Sequence, residues 1–183
     1  MRDTTDILLI TGPAGIGKST LCYEMSVQLA MAEVAHAVIE TDELDRVHPR
    51  PTREELERLR PGTTDVSALN LAAIWSTYRA LGHTRLIMSG VMLRPEADCK
   101  WIRAAIPDAE IVVVRLSAAE DTLLARLAQR EVGSDGEGQV RRTLWQAKRM
   151  AGEDKAGLLV VETDGKRPSD LARAVLLRLG WLS

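Results

Sequence analysis

Short, uninterrupted apolar runs along this chain alternate with longer stretches whose apolar positions recur every three to four residues. The first run, residues 7–10, has the length and character of a strand buried on both faces. Residues 18–31 then space Leu21, Met25 and Leu29 as one stripe of a helix. Residues 35–39 read as a second strand that ends in the acidic stretch Glu40-Thr41-Asp42-Glu43. The Pro- and Arg-rich residues 46–64 are irregular except for a short helix, for which Thr52 and Glu55 form a capping box. A helix is expected over 69–81, with Trp75 and Tyr78 in the core and Gly82 as its stop. Strands follow at 85–90 and 111–116, the latter β-branched as in a sheet covered on both sides, with a helix over 95–105 between them. Ser117 and Glu120 read as a capping box opening a helix to about residue 131. The glycine-rich residues 133–138 read as a mobile loop, followed by a basic helix at 140–151, a strand at 158–161 and a helix at 168–179.

Each strand is followed by helical material that must return along a face of the sheet, so this order predicts an α/β fold with a parallel five-stranded sheet and right-handed crossovers. At 183 residues a single domain is expected, without internal repeats. Composition supports a folded chain, with 45% hydrophobic and 27% charged residues. A net charge of −2 argues against nucleic acid as a main partner, although arginines cluster between residues 126 and 149. Cys22 and Cys99 have neither the spacing nor the histidine neighbours of a zinc site, which favours reduced thiols. The N-terminal residues are polar and lead into too short an apolar run for a signal peptide or membrane span, so no membrane partner and a cytoplasmic location are expected.

The most specific feature is Gly12-Pro13-Ala14-Gly15-Ile16-Gly17-Lys18-Ser19, which fits the Walker A pattern G-x-x-x-x-G-K-[ST] between the first strand and the first helix. Glycines let the backbone curl so that successive N–H groups converge on phosphate oxygens, and the helix that follows presents its positive end. Lys18 is expected to reach the β- and γ-phosphates and Ser19 to place its hydroxyl on Mg²⁺. The motif implies nucleotide binding through Gly12, Ala14, Gly15, Ile16, Gly17, Lys18, Ser19 and Thr20, and leaves open whether the nucleotide drives transfer, hydrolysis or switching.

With the acidic residues 40–42 after the second strand and the stretch 124–130 before the glycine-rich loop, the chain resembles the small-molecule P-loop kinases, the group of shikimate kinase, gluconate kinase and chloramphenicol phosphotransferase. That resemblance implies the three-layer P-loop NTPase fold with a mobile lid over residues 126–142 and an acceptor-side segment over 43–66. It implies ATP and Mg²⁺ as cofactors, and it makes Asp42 the group that contacts the acceptor hydroxyl and acts as base. Glu40 faces the same side on a strand and is a candidate for the metal's water shell, or a plain strand-end acid. Arg126 and Arg130, four apart on one helix face, are expected to close over the phosphates. Thr163, in the segment 163–168, is similar in position to family residues beside the adenine.

Ser89 stands where a Walker B aspartate would end the third strand, a departure that leaves Ser19 as the firm metal contact. Arg94 is a candidate for an anionic or polyhydroxy acceptor. The reading is an ATP-dependent kinase that moves the γ-phosphate to a hydroxyl of a small molecule such as a sugar acid, nucleoside or antibiotic. The alternative is a nucleotide-responsive P-loop switch that signals to a partner without phosphorylating a small acceptor. The absence of an Asn-Lys-x-Asp sequence speaks against guanine specificity.

Overall fold

The computed structural model describes residues 4–129, 136–152 and 158–183. Five parallel strands form one sheet in the order β2-β3-β1-β4-β5, comprising β1 (Thr5–Thr11), β2 (Ala37–Glu40), β3 (Arg85–Gly90), β4 (Ala109–Ser117) and β5 (Leu159–Glu162). The α/β class and the parallel five-stranded sheet expected from the apolar runs are therefore present. β1 lies at the centre, paired with β3 on one side and β4 on the other. The strand order departs in opposite directions from β1, and in such sheets ligands bind in the crevice at the carboxyl ends of the strands.

Side chains along β1 alternate between two cores. Leu8 and Ile10 enter one with Leu21, Met25 and Leu29 of α1 (Lys18–Met31) and Ala172, Val175 and Leu176 of α8 (Pro168–Arg178). Ile7 and Leu9 enter the other with Leu71 and Trp75 of α3 (Val66–Ala80) and Ile102 of α5 (Lys100–Ala105). Trp75 is 3% exposed, and its indole N–H donates to the Thr5 hydroxyl at 3.2 Å, so the ring is core as expected. Coverage is less complete over β4, where Val112 is 40% exposed.

Several helices differ from their expected bounds. The helix expected over 95–105 is two pieces, α4 (Pro95–Asp98) and α5, meeting at the buried Cys99. In α2 (Arg53–Leu59) the Thr52–Glu55 capping box is formed in both directions. By contrast, Ser117 does not cap α6 (Glu120–Ala128). It is the last residue of β4, paired with Glu162, and its carbonyl accepts the Thr163 N–H at 2.9 Å. The N-cap is Ala119, whose N–H donates to the Asp164 carboxylate at 2.8 Å, so a distant loop replaces the local box. Residues 136–138 belong to α7 (Gly136–Ala151) and are not loop, since glycines are tolerated in a first turn whose N–H groups need no intrahelical partner. The rest of the glycine-rich stretch, and Arg130, lie outside the described residues.

Candidate active site

β1 runs directly into the glycine-rich turn, and α1 starts at Lys18 with Gly17 as its N-cap at φ 105°. That left-handed geometry favours glycine and swings the chain so that the following N–H groups face the crevice. Gly15, at φ 79°, is tight for a second reason: a Cβ there would lie 2.8 Å from Leu127 Cδ2 of α6. The Lys18 ammonium donates to the carbonyls of Gly12 and Pro13 at 3.0 and 3.1 Å, which holds it at the loop.

A cavity of about 680 Å³ opens over this turn. Its walls include residues 14–20 of the loop, Glu40 and Asp42 at one end, and Thr163, Lys166 and Leu171 at the other. Arg126 spans the middle: one guanidinium nitrogen donates at 2.9 Å to both the Ile16 carbonyl and the Thr163 hydroxyl, and the other to the Thr163 carbonyl at 3.3 Å. The buried Thr163 hydroxyl in turn donates to the Ser117 carbonyl at 3.1 Å. Arg126 thus ties the phosphate loop to the segment after β5.

The acidic end is built by strand register. Glu40 at the end of β2 pairs with Ser89 at the end of β3, and the Ser89 hydroxyl donates to the Glu40 carboxylate. A carboxylate absent from the end of β3 is thus brought to the same cavity by its neighbour β2. Cys22 of α1 lies beneath this pair, 1% exposed. Burial, then the Glu40 charge, push its thiol up to about 12, against opposing effects of the Ser89 hydrogen bond and the Lys18 charge. Asp42 follows in a single 3-10 turn, Thr41–Glu43, and no described residue hydrogen-bonds or pairs with its carboxylate.

Of the residues expected at the site, Ala14, Gly15, Ile16, Gly17, Lys18, Ser19, Thr20, Asp42, Arg126 and Thr163 line one cavity. Gly12 lies beneath it, buried between Ile16 and Leu116. Arg94 is exposed and absent from the lining; its N–H donates to Asp98 as it caps α4. Arg126, expected to close over the phosphates, hydrogen-bonds here to loop and Thr163 oxygens.

One neighbour of the loop went unnoticed in the sequence. The Gln146 carboxamide oxygen on α7 accepts the Ala14 N–H at 3.0 Å, and Gln139, two turns earlier on the same helix, lines the cavity. Gln139, Thr143, Gln146 and Met150 share helical spacing, a polar-apolar stripe that was the available signal. The Arg115 guanidinium, buried in β4, donates to the Met150 carbonyl and secures the end of that helix.

No protein-family profile matches the chain, and no curated protein sequence matches it. Solved structures do match its fold. The tunicamycin resistance protein of Deinococcus radiodurans superposes with a TM-score of 0.62 at 18% identity, covering 96% of each chain. A gluconokinase from Sinorhizobium meliloti gives 0.57 at 20% identity over 97% of this chain and 95% of its own. The APS kinase of Mycobacterium tuberculosis, in complex with AMPPNP and APS, gives 0.51 at 17% identity over 97% and 98%. The fold is thus the one shared by small-molecule P-loop kinases, over nearly the whole length of each chain compared. Among the described residues no helix is long and apolar enough to cross a membrane.

Proposed function

We propose that this protein is an ATP- and Mg²⁺-dependent kinase that phosphorylates a hydroxyl of a small molecule, with Asp42 facing the acceptor. The observation that carries the reading is the continuity of one cavity from Thr163 and Lys166, across the phosphate loop, to an Asp42 carboxylate that has no partner among the described residues. A hydrolase or switch needs the first two regions; a carboxylate beyond the γ-phosphate position is what a hydroxyl acceptor requires.

The residues fit the groups they would hold. The loop's backbone and the start of α1 suit a chain of phosphates, and Gly12, Gly15 and Gly17 adopt backbone angles that other residues resist. Mg²⁺ would be held by Ser19 and, through its water shell, by Glu40, which lines the same cavity. When bound, the ion neutralises phosphate charge. Lys18 holds the terminal phosphates and Arg126 keeps loop and adenine-side segment at fixed separation. Asp42 orients the acceptor hydroxyl and takes its proton as the oxygen bonds to phosphorus and ADP leaves. A loose transition state asks Asp42 chiefly for positioning.

Acceptor-dependent ADP release over a panel of sugar acids, nucleosides and hydroxylated antibiotics tests the proposal. Asp42→Asn is expected to bind ATP as the wild type does and to lose turnover by a factor of about 10² to 10⁴. Turnover that depends on a protein partner and never on a small acceptor would overturn the kinase reading, and undiminished turnover in Asp42→Asn would remove Asp42 as the base.

A further inference from the structure

Asp42 and Val91, which line the cavity over the loop, also border a second hollow. This cavity of about 360 Å³ is lined by Asp42, Asp45 and Asp98, by Ser67, and by an apolar wall of Val91, Met92, Leu93 and Trp101. Its size suits one small molecule. Its wall comes from two directions: Met92 is buried in the core behind β3, and Trp101 stands on α5, half-buried. The described lining contains no cationic side chain. Arg46 and Arg50 border a neighbouring hollow that also reaches Asp42 and Asp45, but they are engaged, with Glu43 at 3.0 Å and with Asp45 at 3.3 Å. Arg94, the residue that an anionic acceptor would have used, is exposed and outside the lining.

We propose that this hollow is the acceptor subsite and that it selects hydroxyl compounds that present a flat apolar face to Trp101 and carry no anionic group. The inference rests on the kinase reading above and narrows it, against sugar acids and toward neutral or amine-bearing acceptors. An acceptor carboxylate at roughly 7 Å from one carboxylate not neutralised by an arginine, at an effective dielectric near 20, loses about 50-fold in affinity. Asp45 is offset by Arg50, whereas Asp42 and Asp98 have no ion-pair partner among the described residues. An ammonium group gains where the carboxylate loses, and the apolar wall accepts the ring in either case.

Three phenyl glycosides that share both rings and differ in charge provide the test: phenyl glucosaminide, phenyl glucoside and phenyl glucuronide. Binding is measured calorimetrically on the AMPPNP-loaded protein, and ADP release is measured with ATP. The glucosaminide is expected to bind tightest and the glucuronide at least about 50-fold more weakly than the glucoside. Trp101→Ala weakens the glucosaminide and the glucoside alike. Asp98→Asn keeps an oxygen to accept the Arg94 N–H, so α4 retains its cap, while the amine's advantage and the glucuronide's penalty both shrink to what Asp42 alone imposes. Glucuronide binding equal to or tighter than glucoside, no binding by any member, or a charge order unmoved by Asp98→Asn overturns the subsite. ADP release that favours the glucuronide overturns the subsite and leaves the kinase standing. Binding in the expected order without ADP release from any member upholds the subsite and counts against the kinase.

Discussion

Gly90→Ala isolates the contact that positions the proposed base. Gly90 ends β3, and a Cβ built on it would lie 2.0 Å from Thr41 Oγ1 and 3.1 Å from both Thr41 Cβ and Cγ2. Its backbone conformation is open to any residue, so the substitution tests packing alone. Thr41 opens the turn that presents Asp42, and its branched side chain cannot escape by simple rotation. A swing of Cγ2 toward Gly90 repeats the clash, and a swing of Hβ toward it leaves Cβ at 3.1 Å, still tighter than ordinary contact. Overpacking of this kind costs about 1–3 kcal/mol. If the turn yields by about 1 Å, the resulting misplacement of the reacting groups lowers kcat by roughly a hundredfold. The assay pairs thermal unfolding with steady-state kinetics in the acceptor: kcat is expected to fall by a larger factor than KM for ATP rises, because the phosphate loop and α1 are not part of the displaced turn. Thr41→Ala removes the 2.0 Å contact, so the double variant should recover most of the lost activity, a coupling that a double-mutant cycle reads directly. A Gly90→Ala protein with wild-type stability and kcat, or a double variant as impaired as the single, would refute the claim that this contact sets the turn.

Lys18→Ala should reduce turnover by at least about a hundredfold, because the proposed phosphate grip then loses the lysine of the loop; kcat near the wild-type value would exclude the loop from the chemistry. Arg126→Lys keeps the charge but loses the fork that joins Ile16 to Thr163, so KM for ATP should rise about tenfold, checked by titration with AMPPNP. Cys22 makes stability fall in alkali. Above about pH 9 the unfolded thiol has lost its proton, while the folded thiol keeps its own up to about 12. The unfolded state then binds fewer protons, and stability drops by about 1.4 kcal/mol per pH unit across that window. Denaturant titrations of Cys22→Ala should show a shallower decline, and identical slopes would refute the assignment.

The parts of this molecule that were legible in the sequence are those specified by neighbours along the chain. The phosphate loop is contiguous because backbone N–H groups must converge over a few residues, and the Thr52–Glu55 box spans three residues. What was not legible depends on pairing at a distance. Ser117 looks like a cap until β5 joins β4 and draws it into the ladder. Glu40 meets Ser89 only through the register of β2 on β3, and Gln146 meets Ala14 across 132 positions of sequence. Arg94 shows the same limit in reverse, since it lies just beyond the end of the third strand and is exposed outside the cavity lining. Local pattern predicts elements, and three-dimensional register decides which of their ends share a pocket.

The placement of Glu40 on β2 has a thermodynamic consequence. β2 is a four-residue strand at the edge of the sheet, while β3, deeper in the sheet, brings only Ser89 and Gly90 to this place. The two carboxylates assigned to the ion and to the acceptor are thus two residues apart on one marginal strand and its turn. Any ligand that orders that strand orders both, so whatever factor Mg²⁺·ATP contributes to acceptor affinity must be returned by the acceptor to Mg²⁺·ATP. Synergy between the two substrates then belongs to the sheet edge, and substitutions anywhere along residues 37–43 tune it without touching the phosphate loop.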